Sequence, residues 1–240
     1  MENNFLRYPK KSHRKVIKIP RESIRLAELM GIEFGDGGIN NLWQMVITLN
    51  ADKDAEYAKY VCGLIYKLFG IDPVVRKRGK RTLQIVSSSI SLVDFLIKKG
   101  AVRGNKIKQN FDIPDWVRKN DKYAKVFVRG LIDTDGCLYV HRHIVRGASY
   151  ENIGFCFTSS CEPLIKSVAG ILNEVGIKPH IADKGRRIYL YSHKDVFSYL
   201  NTFGSSNPRI YKKYLEWLDI KKYKNRLCFE DEIWRGSGVV

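Results

Sequence analysis

The sequence predicts an α+β protein built from two related halves of about 100 residues each. A nine-residue motif occurs twice, as LMGIEFGDG at Leu29–Gly37 and as VRGLIDTDG at Val128–Gly136. A second block, Gly70–Ile85, is repeated at Gly176–Tyr191 with a constant offset of 106 residues. Helical and strand periodicities also follow the same order in both halves, so one folding unit occurs twice.

Each motif has the pattern of a helix that packs against a second helix. Small residues stand four positions apart, Gly31 and Gly35 in the first copy and Gly130 and Thr134 in the second. Residues at this spacing lie on one helix face, and small ones let two helix backbones approach closely. We therefore expect the two motif helices to pack face to face, each ended by the last glycine of its motif in the left-handed conformation.

This packing would bring together two aspartates, Asp36 and Asp135, which are 99 positions apart. Carboxylates at helix C-termini are disfavoured by the partial negative charge of the helix end and by each other. A bound divalent cation would relieve both effects, and oxygen ligands suit Mg²⁺, which often bridges to phosphate. The alternative is that each Asp-Gly is only a turn signal, and the matched repetition makes this the weaker interpretation.

The first half begins after a basic arm at residues 1–20 and is expected to span residues 21–110. Ser23 is an expected N-cap of the motif helix. Apolar alternation indicates strands, apolar residues at helical spacing indicate helices, and glycine marks the turns. The expected elements are a helix over Ser23–Asp36, one or two strands over Ile39–Leu49, a helix over Asp54–Phe69, a hairpin of Val74–Arg78 and Thr82–Val86, and a helix over Ser91–Lys99.

A loop-rich linker is expected at residues 111–122, and the second half at residues 123–240. The motif offset is smaller than that of the second repeated block, so about seven extra residues are expected in the second half, within His141–Asn152. Its expected elements are a helix over Phe127–Asp135, strands over Cys137–His143 and Ile153–Thr158, a helix over Glu162–Val175, strands over Pro179–Ala182 and Arg187–Tyr191, and helices over Lys194–Phe203 and Ile210–Leu218.

The chain is strongly basic, with 42 Lys and Arg against 25 Asp and Glu, a net charge of +17. This excess favours a polyanionic partner, either nucleic acid or an anionic membrane surface. No apolar run is long enough for a membrane-spanning helix, and no signal peptide is expected. The five cysteines form no CxxC pair and fit reduced thiols inside the cell, in the cytoplasm, the nucleoid or an organelle.

At its two motifs the chain resembles the LAGLIDADG homing endonucleases of the single-chain, two-motif type. The resemblance includes the segment leading into the second motif, Asp112–Gly136, and a closing segment, Ser205–Leu218. The first motif departs more, with Met30 for Ala and Glu33 for an apolar residue. The resemblance implies two pseudo-symmetric αββαββα halves, with the motif helices at the central interface and two antiparallel sheets forming a saddle over DNA.

The resemblance also implies a monomer that makes metal-dependent double-strand breaks at a long, specific DNA site. Asp36 and Asp135 would ligate Mg²⁺ or Mn²⁺ near the scissile phosphates, with the carbonyls of Gly35 and Thr134 as further ligands. Ca²⁺ is expected to support binding without cleavage. The candidates for a catalytic lysine are Lys106 and Lys212, then Lys108 and Lys213, and the candidates for orienting water are Gln44 and Thr48.

DNA contacts are expected on the open faces and turns of the two sheets, since a two-stranded ribbon fits the major groove. Arg pairs with guanine and Gln with adenine, while the other cations reach phosphate. In the first half the candidates are Asn40, Gln44, Arg76, Arg78, Lys80, Arg81 and Gln84. In the second half they are Tyr139, His141, His143, Lys184, Arg186, Arg187, Tyr189 and Tyr191.

Another function stays open, because a fold does not decide function. A binding-only relative of these nucleases could act as a maturase, with intron RNA as its partner, or as a DNA-binding regulator. The presence of both motif aspartates favours the nuclease. Protein splicing is disfavoured, since neither Met1-Glu2 nor Gly238-Val239-Val240 supplies the residues that it requires, although an endonuclease domain from such a host would fit.

Overall fold

Two four-stranded antiparallel sheets, each covered by helices, form the fold of this computed structural model, which describes residues 5–6 and 15–219. A short ribbon of β1 (Phe5–Leu6) and β2 (Ile17–Lys18) precedes the first half. That half consists of α1 (Ile24–Phe34), β3 (Gly37–Asn41), β4 (Gln44–Asn50), α2 (Ala55–Phe69), β5 (Val74–Arg78), β6 (Thr82–Ser88) and α3 (Ile90–Lys98). Residues 1–4 and 7–14 of the predicted basic arm lie outside the described residues.

The second half repeats this order of elements. It contains α4 (Asp115–Arg118), α5 (Asp121–Asp135), β7 (Gly136–Val145), β8 (Ala148–Thr158), α6 (Glu162–Glu174), β9 (His180–Ala182), β10 (Arg187–Leu190), α7 (His193–Thr202) and a helix α8 over residues 208–219. The sheet orders are β3-β4-β6-β5 and β7-β8-β10-β9, so the strands pair in the same way in both halves. The predicted pair of αββαββα units is confirmed.

The motif helices α1 and α5 pack against each other at the centre of the fold, as the spacing of small residues predicts. A Cβ on Gly31 would lie 2.0 Å from the carbonyl oxygen of Phe127, and one on Gly130 would lie 2.4 Å from that of Glu28. Both distances are far shorter than van der Waals contact. The two backbones therefore approach so closely that only glycine fits at either position.

The prediction that each motif helix ends in a glycine with left-handed backbone conformation is wrong. The backbone at Gly136 is extended, with φ −88° and ψ 155°, and α1 ends at Gly35 with φ −79°. Gly37 already belongs to β3, and a Cβ there would lie 2.5 Å from the carbonyl oxygen of Glu33. Glycine is needed at these positions because, after each motif helix, the chain turns into the next strand. The turn packs against the last turn of that helix and leaves no room for a side chain.

The second motif helix is longer than its apolar spacing predicts. The side chain of Asn120 accepts a hydrogen bond from the backbone N–H of Tyr123 at 3.1 Å and caps α5, and Asp121 is favourably placed in the first helical turn. Helix α5 thus begins inside the segment expected to be the linker. The division of the chain at residues 111–122 remains a prediction.

The extra residues of the second half lengthen one hairpin, as expected. Strands β7 and β8 pair along their whole length and turn at Arg146 and Gly147, both with positive φ. Only the end of β8, Phe155–Thr158, pairs with β10, so the rest of the hairpin projects beyond the sheet as a two-stranded ribbon. Among the described residues, no helix is long and apolar enough to cross a membrane.

Candidate active site and nucleic-acid interface

The motif aspartates lie side by side where α1 and α5 end. A Cβ on Gly35, next to Asp36 in the chain, would lie 3.3 Å from Oδ2 of Asp135 and 2.0 Å from Oγ1 of Thr134. The carbonyl oxygen of Asp36 accepts a hydrogen bond from the Thr48 N–H at 3.0 Å, which ties the first aspartate to β4. Asp36 is half-buried and Asp135 is exposed, so a ligand can reach the pair.

Both carboxyl groups hold their protons more tightly than free aspartate does. Desolvation by the surrounding protein and the charge of Asp54 raise the pKa of Asp36 to about 6, against the lowering effects of Arg209 and Lys106. Desolvation and the charge of Asp36 raise the pKa of Asp135 to about 7, with Lys106 acting in the opposite direction. The pair therefore resists ionisation, and a cation between the carboxylates would stabilise their charged form.

Lys106 reaches the site from the loop that follows α3. That loop lies beside β3, because the Gly104 N–H donates to the Ile39 carbonyl oxygen at 2.8 Å. The Lys106 ammonium donates to the carbonyl oxygens of Glu33 and Gly37, the second at 2.6 Å. It thereby caps the C-terminal end of α1, where a cation offsets the negative end of the helix.

Glu33, the unusual residue of the first motif, faces the same ammonium group. Its side chain is fully buried, and its Oε1 lies 3.6 Å from Nζ of Lys106. Burial raises the pKa of Glu33, and Lys106 acts against this shift. The acidic residue at this apolar position of the motif therefore has a partner in Lys106, which connects it with the site.

A second cation, Arg209, approaches the aspartates from the C-terminal segment. Its Nε lies 3.2 Å from Oδ1 of the buried Asp54, and its charge lowers the pKa of Asp36. Sequence reasoning missed both Arg209 and Asp54. The closing segment that contains Arg209 is visible in the sequence, but many lysines nearby offer equally plausible cations, and Asp54 looks like an ordinary helix N-cap.

A buried polar network holds this C-terminal segment against both motif helices. The backbone N–H of Ser206 donates to Oδ2 of Asp133 at 2.7 Å, and its hydroxyl donates to Oε1 of Glu28 at 2.6 Å. Arg129 pairs with the other oxygen of Glu28 at 2.7 Å.

Asn207 donates from Nδ2 to Asp54 at 2.9 Å and to the Asp133 carbonyl at 3.0 Å. The network positions Arg209, and its members were not predicted.

Lys212 and Lys213 lie farther along α8, and both are exposed. They line a cavity of about 750 Å³ that also includes Arg209 and Cys137. Among the described residues, no hydrogen bond or ion pair joins Lys212 to either motif aspartate. Lys108 is exposed at the end of the 3-10 turn that contains Lys106.

The donor set suits a hard cation that is shared with a substrate. Two carboxylates converge beside backbone carbonyls, and Mg²⁺ is usually held by one or two carboxylates together with substrate phosphates and water. In the part of the chain that the structure describes, no three His, Cys, Asp or Glu side chains form a closed metal cluster. The carbonyl oxygen of Gly35, a predicted ligand, lies 3.5 Å from Nζ of Lys106.

The first sheet presents a polar and cationic open face. Met45, Ile47 and Leu49 point into the core, which leaves Gln44 and Thr48 on the other face of β4. Register places Gln84 between Thr48 and Arg76, while Arg78 lies opposite Thr82. The remaining predicted contacts in this half, Asn40, Lys80 and Arg81, are exposed.

The second sheet presents a different open face. Leu138, Phe155 and Ile188 are buried on its core side, so Tyr139, His141 and His143 share the other face with Tyr189. Arg187 is also on that face, and its Nε lies 3.4 Å from Oδ2 of Asp183. The other predicted contacts, Lys184, Arg186 and Tyr191, are exposed.

The raised pKa values predict a characteristic pH dependence of stability. In the folded protein the pKa is about 6 for Asp36 and about 7 for Asp135, above the ordinary value of 3.8. The folded protein therefore binds more protons than the unfolded chain between about pH 4 and pH 7. Without divalent metal, stability should fall as pH rises through this window. Thermal unfolding in EDTA should show a shallower fall for the Asp36→Asn, Asp135→Asn double variant, and identical slopes would contradict the assignment.

Comparison with known proteins agrees with this architecture. Residues 122–216 match a family described as LAGLIDADG-like domain. No curated protein sequence matches the chain.

Three solved structures share the fold at low sequence identity. The first is I-SmaMI bound to an uncleaved DNA target in the presence of calcium ions, with 12% identity, 86% of this chain and 94% of that chain covered, and a TM-score of 0.56. The LAGLIDADG meganuclease I-AabMI bound to uncleaved DNA has 15% identity, coverage of 82% and 91%, and a TM-score of 0.55. Full-length DUF199/WhiA from Thermatoga maritima has 15% identity, coverage of 90% and 69%, and a TM-score of 0.51.

Proposed function

We propose that this chain, which carries a LAGLIDADG-like domain and has the two-domain LAGLIDADG fold, is a site-specific homing endonuclease that makes metal-dependent double-strand breaks in DNA. The observation that carries the proposal is the pair of motif aspartates, which converge at the ends of two tightly packed helices between two sheets. One carboxylate from each half matches a substrate that has one scissile phosphate on each strand.

In the proposed reaction, Asp36 and Asp135 would hold Mg²⁺ or Mn²⁺ near the scissile phosphates. A metal held there would supply Lewis-acid chemistry, which activates water and offsets the charge on phosphate and on the leaving 3′ oxygen. Lys106 and Arg209 flank the pair and add fixed positive charge near the phosphates. Each strand would be left with a 5′-phosphate end. Ca²⁺ should support binding without cleavage, which agrees with the I-SmaMI complex, where the DNA target is uncleaved in the presence of calcium ions.

A randomised double-stranded DNA library, incubated with Mg²⁺ and sequenced at its cut ends, tests the proposal directly. We expect discrete ends at one long site, and none from the Asp36→Asn, Asp135→Asn protein. Salt-sensitive binding without cleavage, at full library coverage, would reject the nuclease. It would favour the second candidate, a binding-only protein that acts as an RNA maturase or a DNA-binding regulator; the nuclease fold is also shared by full-length DUF199/WhiA.

The cations near the aspartates provide a second prediction. Lys106→Gln and Arg209→Gln should each slow cleavage about 100-fold, because both charges act on the motif aspartates. Lys212→Gln should change the rate less than Arg209→Gln, since Lys212 lies beyond Arg209 on an exposed helix face. Single-turnover cleavage rates measure the difference, with melting temperatures as the folding control. A larger effect at Lys212 would restore Lys212 as the catalytic cation.

The basic hairpin of the first sheet provides a third prediction. Arg76→Gln, Arg78→Gln should weaken duplex binding and reduce the slope of log K against log salt by about 0.9 for each phosphate that is no longer neutralised. The matched control is Lys59→Gln, Lys67→Gln, since both lysines are exposed on α2, the helix that covers the core side of this sheet. Equal slopes for the two double variants would place the DNA elsewhere.

The proposal includes several details of biological setting. We infer that the protein acts as a monomer, because its two halves already supply both aspartates. It would be encoded within an intron and would act inside the cell, where its DNA target lies. Sedimentation of the DNA complex should give one chain per duplex, and two chains per duplex would contradict the monomer.

A further inference from the structure

The open face of the second sheet carries a continuous row of aromatic rings, which we call the aromatic ladder. It crosses all four strands and leaves the sheet along the projecting ribbon. Its members are Tyr150, His143, His141, Tyr139, Tyr189, Tyr191 and His180.

Neighbouring rings of the ladder are in contact along its whole length. On the ribbon, His143 stacks on Tyr150 and on His141, with ring centroids 5.6 Å apart in both pairs and interplanar angles of 18° and 21°. Tyr189 and Tyr191 stack at 5.3 Å and 7°. Tyr139 joins the two stacks, 5.8 Å from His141 and 6.3 Å from Tyr189.

Strand alternation and one glycine build the ladder. Side chains two apart on a strand share a face, and register places His143 opposite Tyr150. Tyr139 lies opposite Gly154, where a Cβ would be only 2.6 Å from the tyrosine ring. The missing side chain lets Tyr139 lie across β8 and reach Tyr189 on β10. A glycine at this position therefore joins rings from non-adjacent strands.

The ladder is accessible, and its members include no lysine, arginine or carboxylate side chain. Its outer rings, Tyr150 and Tyr191, are 50% and 48% exposed. Arg187, a cation on the same face, forms an ion pair with Asp183. Lys184 and Arg186 are exposed in the turn at the edge of the sheet, beside the β9 and β10 end of the ladder. The open face of the second sheet is thus an aromatic surface bordered by cations, whereas that of the first sheet presents amide and guanidinium groups.

This chemistry fits unpaired bases better than a base-paired duplex. In a duplex the base faces are hidden by their neighbours, and binding depends mainly on cations at phosphate. Unpaired bases expose both faces, stack on aromatic side chains, and need only a few cations for the backbone. We propose that the aromatic ladder is a stacking surface for unpaired bases of a single-stranded nucleic acid segment, which stack on its exposed end rings, Tyr150 and Tyr191. The proposal rests on the nucleic-acid-binding function proposed for this chain, but it does not require cleavage.

The test uses the whole protein and a short single-stranded oligouridine that carries a 2-aminopurine, whose fluorescence reports stacking. The wild-type protein should bind it and change its fluorescence. The Tyr150→Leu, Tyr191→Leu variant keeps apolar volume but loses the rings, and should bind at least about tenfold more weakly without the fluorescence change. The Tyr150→Phe, Tyr191→Phe variant keeps the rings, and should bind within about twofold of wild type.

Wild-type affinity and fluorescence change in the leucine variant would overturn the proposal, as would an equal loss in the phenylalanine variant. If the double leucine variant melts at a lower temperature, Tyr191→Leu alone gives the same comparison at one exposed edge ring. An oligothymidine arm distinguishes single-stranded DNA from RNA, and binding of either supports the stacking surface.

The Asp36→Asn, Asp135→Asn protein separates this proposal from the proposed nuclease. Ring-dependent binding of the single strand by that protein, without cleavage of any duplex by the wild type, would reject the nuclease and leave the ladder proposal standing. Duplex cleavage together with ring-independent binding of the single strand would reject the ladder proposal and leave the nuclease standing.

Discussion

Replacing Asp135 by Asn should abolish DNA cleavage, with a loss of at least about 1000-fold in the single-turnover rate. The carboxylate lies beside Asp36, and the change removes one of two charged oxygen donors while the side-chain volume is preserved. Duplex binding in EDTA should stay within about tenfold of wild type, because removal of a negative charge near phosphate does not weaken attraction. The folded state should survive, since Asp135 is exposed and the charge-neutral form is favoured by its surroundings.

The matched control for this prediction is Asp72→Asn, which removes an exposed carboxylate in the loop between α2 and β5. It should cleave at the wild-type rate. Asp36→Asn should also lose cleavage of at least one DNA strand. A nicked product would show that each aspartate serves one scissile phosphate. Unreduced cleavage of both strands by Asp135→Asn would remove this pair of residues from the active site.

Replacing Gly31 by Ala should have the largest effect on stability. The new methyl group would lie 2.0 Å from the carbonyl oxygen of Phe127, on backbone that cannot rotate away as a side chain does. The motif helices would have to separate along the central interface, at a cost of about 3 kcal/mol or more. In a protein of this size, such a loss lowers the melting temperature by about 10 °C. Because the aspartates are carried on the same helices, cleavage should fall even below the new melting temperature.

Two other helical glycines provide the control for the Gly31 variant. An added methyl group on Gly63 in α2 or on Gly170 in α6 would have no neighbouring atom within 4 Å, so Ala at either site meets open space. Each should stabilise the protein by up to about 1 kcal/mol, through the higher helix propensity of Ala. Thermal unfolding of the three variants decides the matter. A Gly31→Ala protein as stable as the Gly63→Ala protein would mean that the helices are not packed this closely.

Local pattern in the sequence was enough to predict the repeated fold. The spacing of Gly31 and Gly35, and of Gly130 and Thr134, predicts a close helix pair, because steric fit at such a contact depends on residue size at fixed positions. Period-two alternation in β4 and β7 predicts which strand face is buried. The paired aspartates follow from the same repetition, since equivalent positions in two packed halves meet at the pseudo-symmetry axis.

The tertiary structure decided which distant groups surround that pair. Lys106 and Arg209 stand among 42 Lys and Arg residues, and no local pattern distinguishes them. Arg209 is selected by the buried network of Asp54, Asn207 and Asp133, which joins segments about 75 to 150 residues apart in the chain. Such contacts depend on how loops and helix ends pack together, and the hydrophobic periodicity of the sequence does not indicate this packing.

The same distinction applies to the conformation of glycine and to the aromatic ladder. The motif pattern correctly predicts that Gly37 and Gly136 are required, but packing against the preceding helical turn is the reason, and not a left-handed backbone. The sequence shows tyrosines and histidines at alternate positions, whereas the strand order β7-β8-β10-β9 and the lack of a side chain at Gly154, over which the Tyr139 ring lies, join them into one surface. The sequence thus determined the units and their repeated acids, because these depend on residues near in the chain. The tertiary structure decided their neighbours, because those depend on contacts between distant segments.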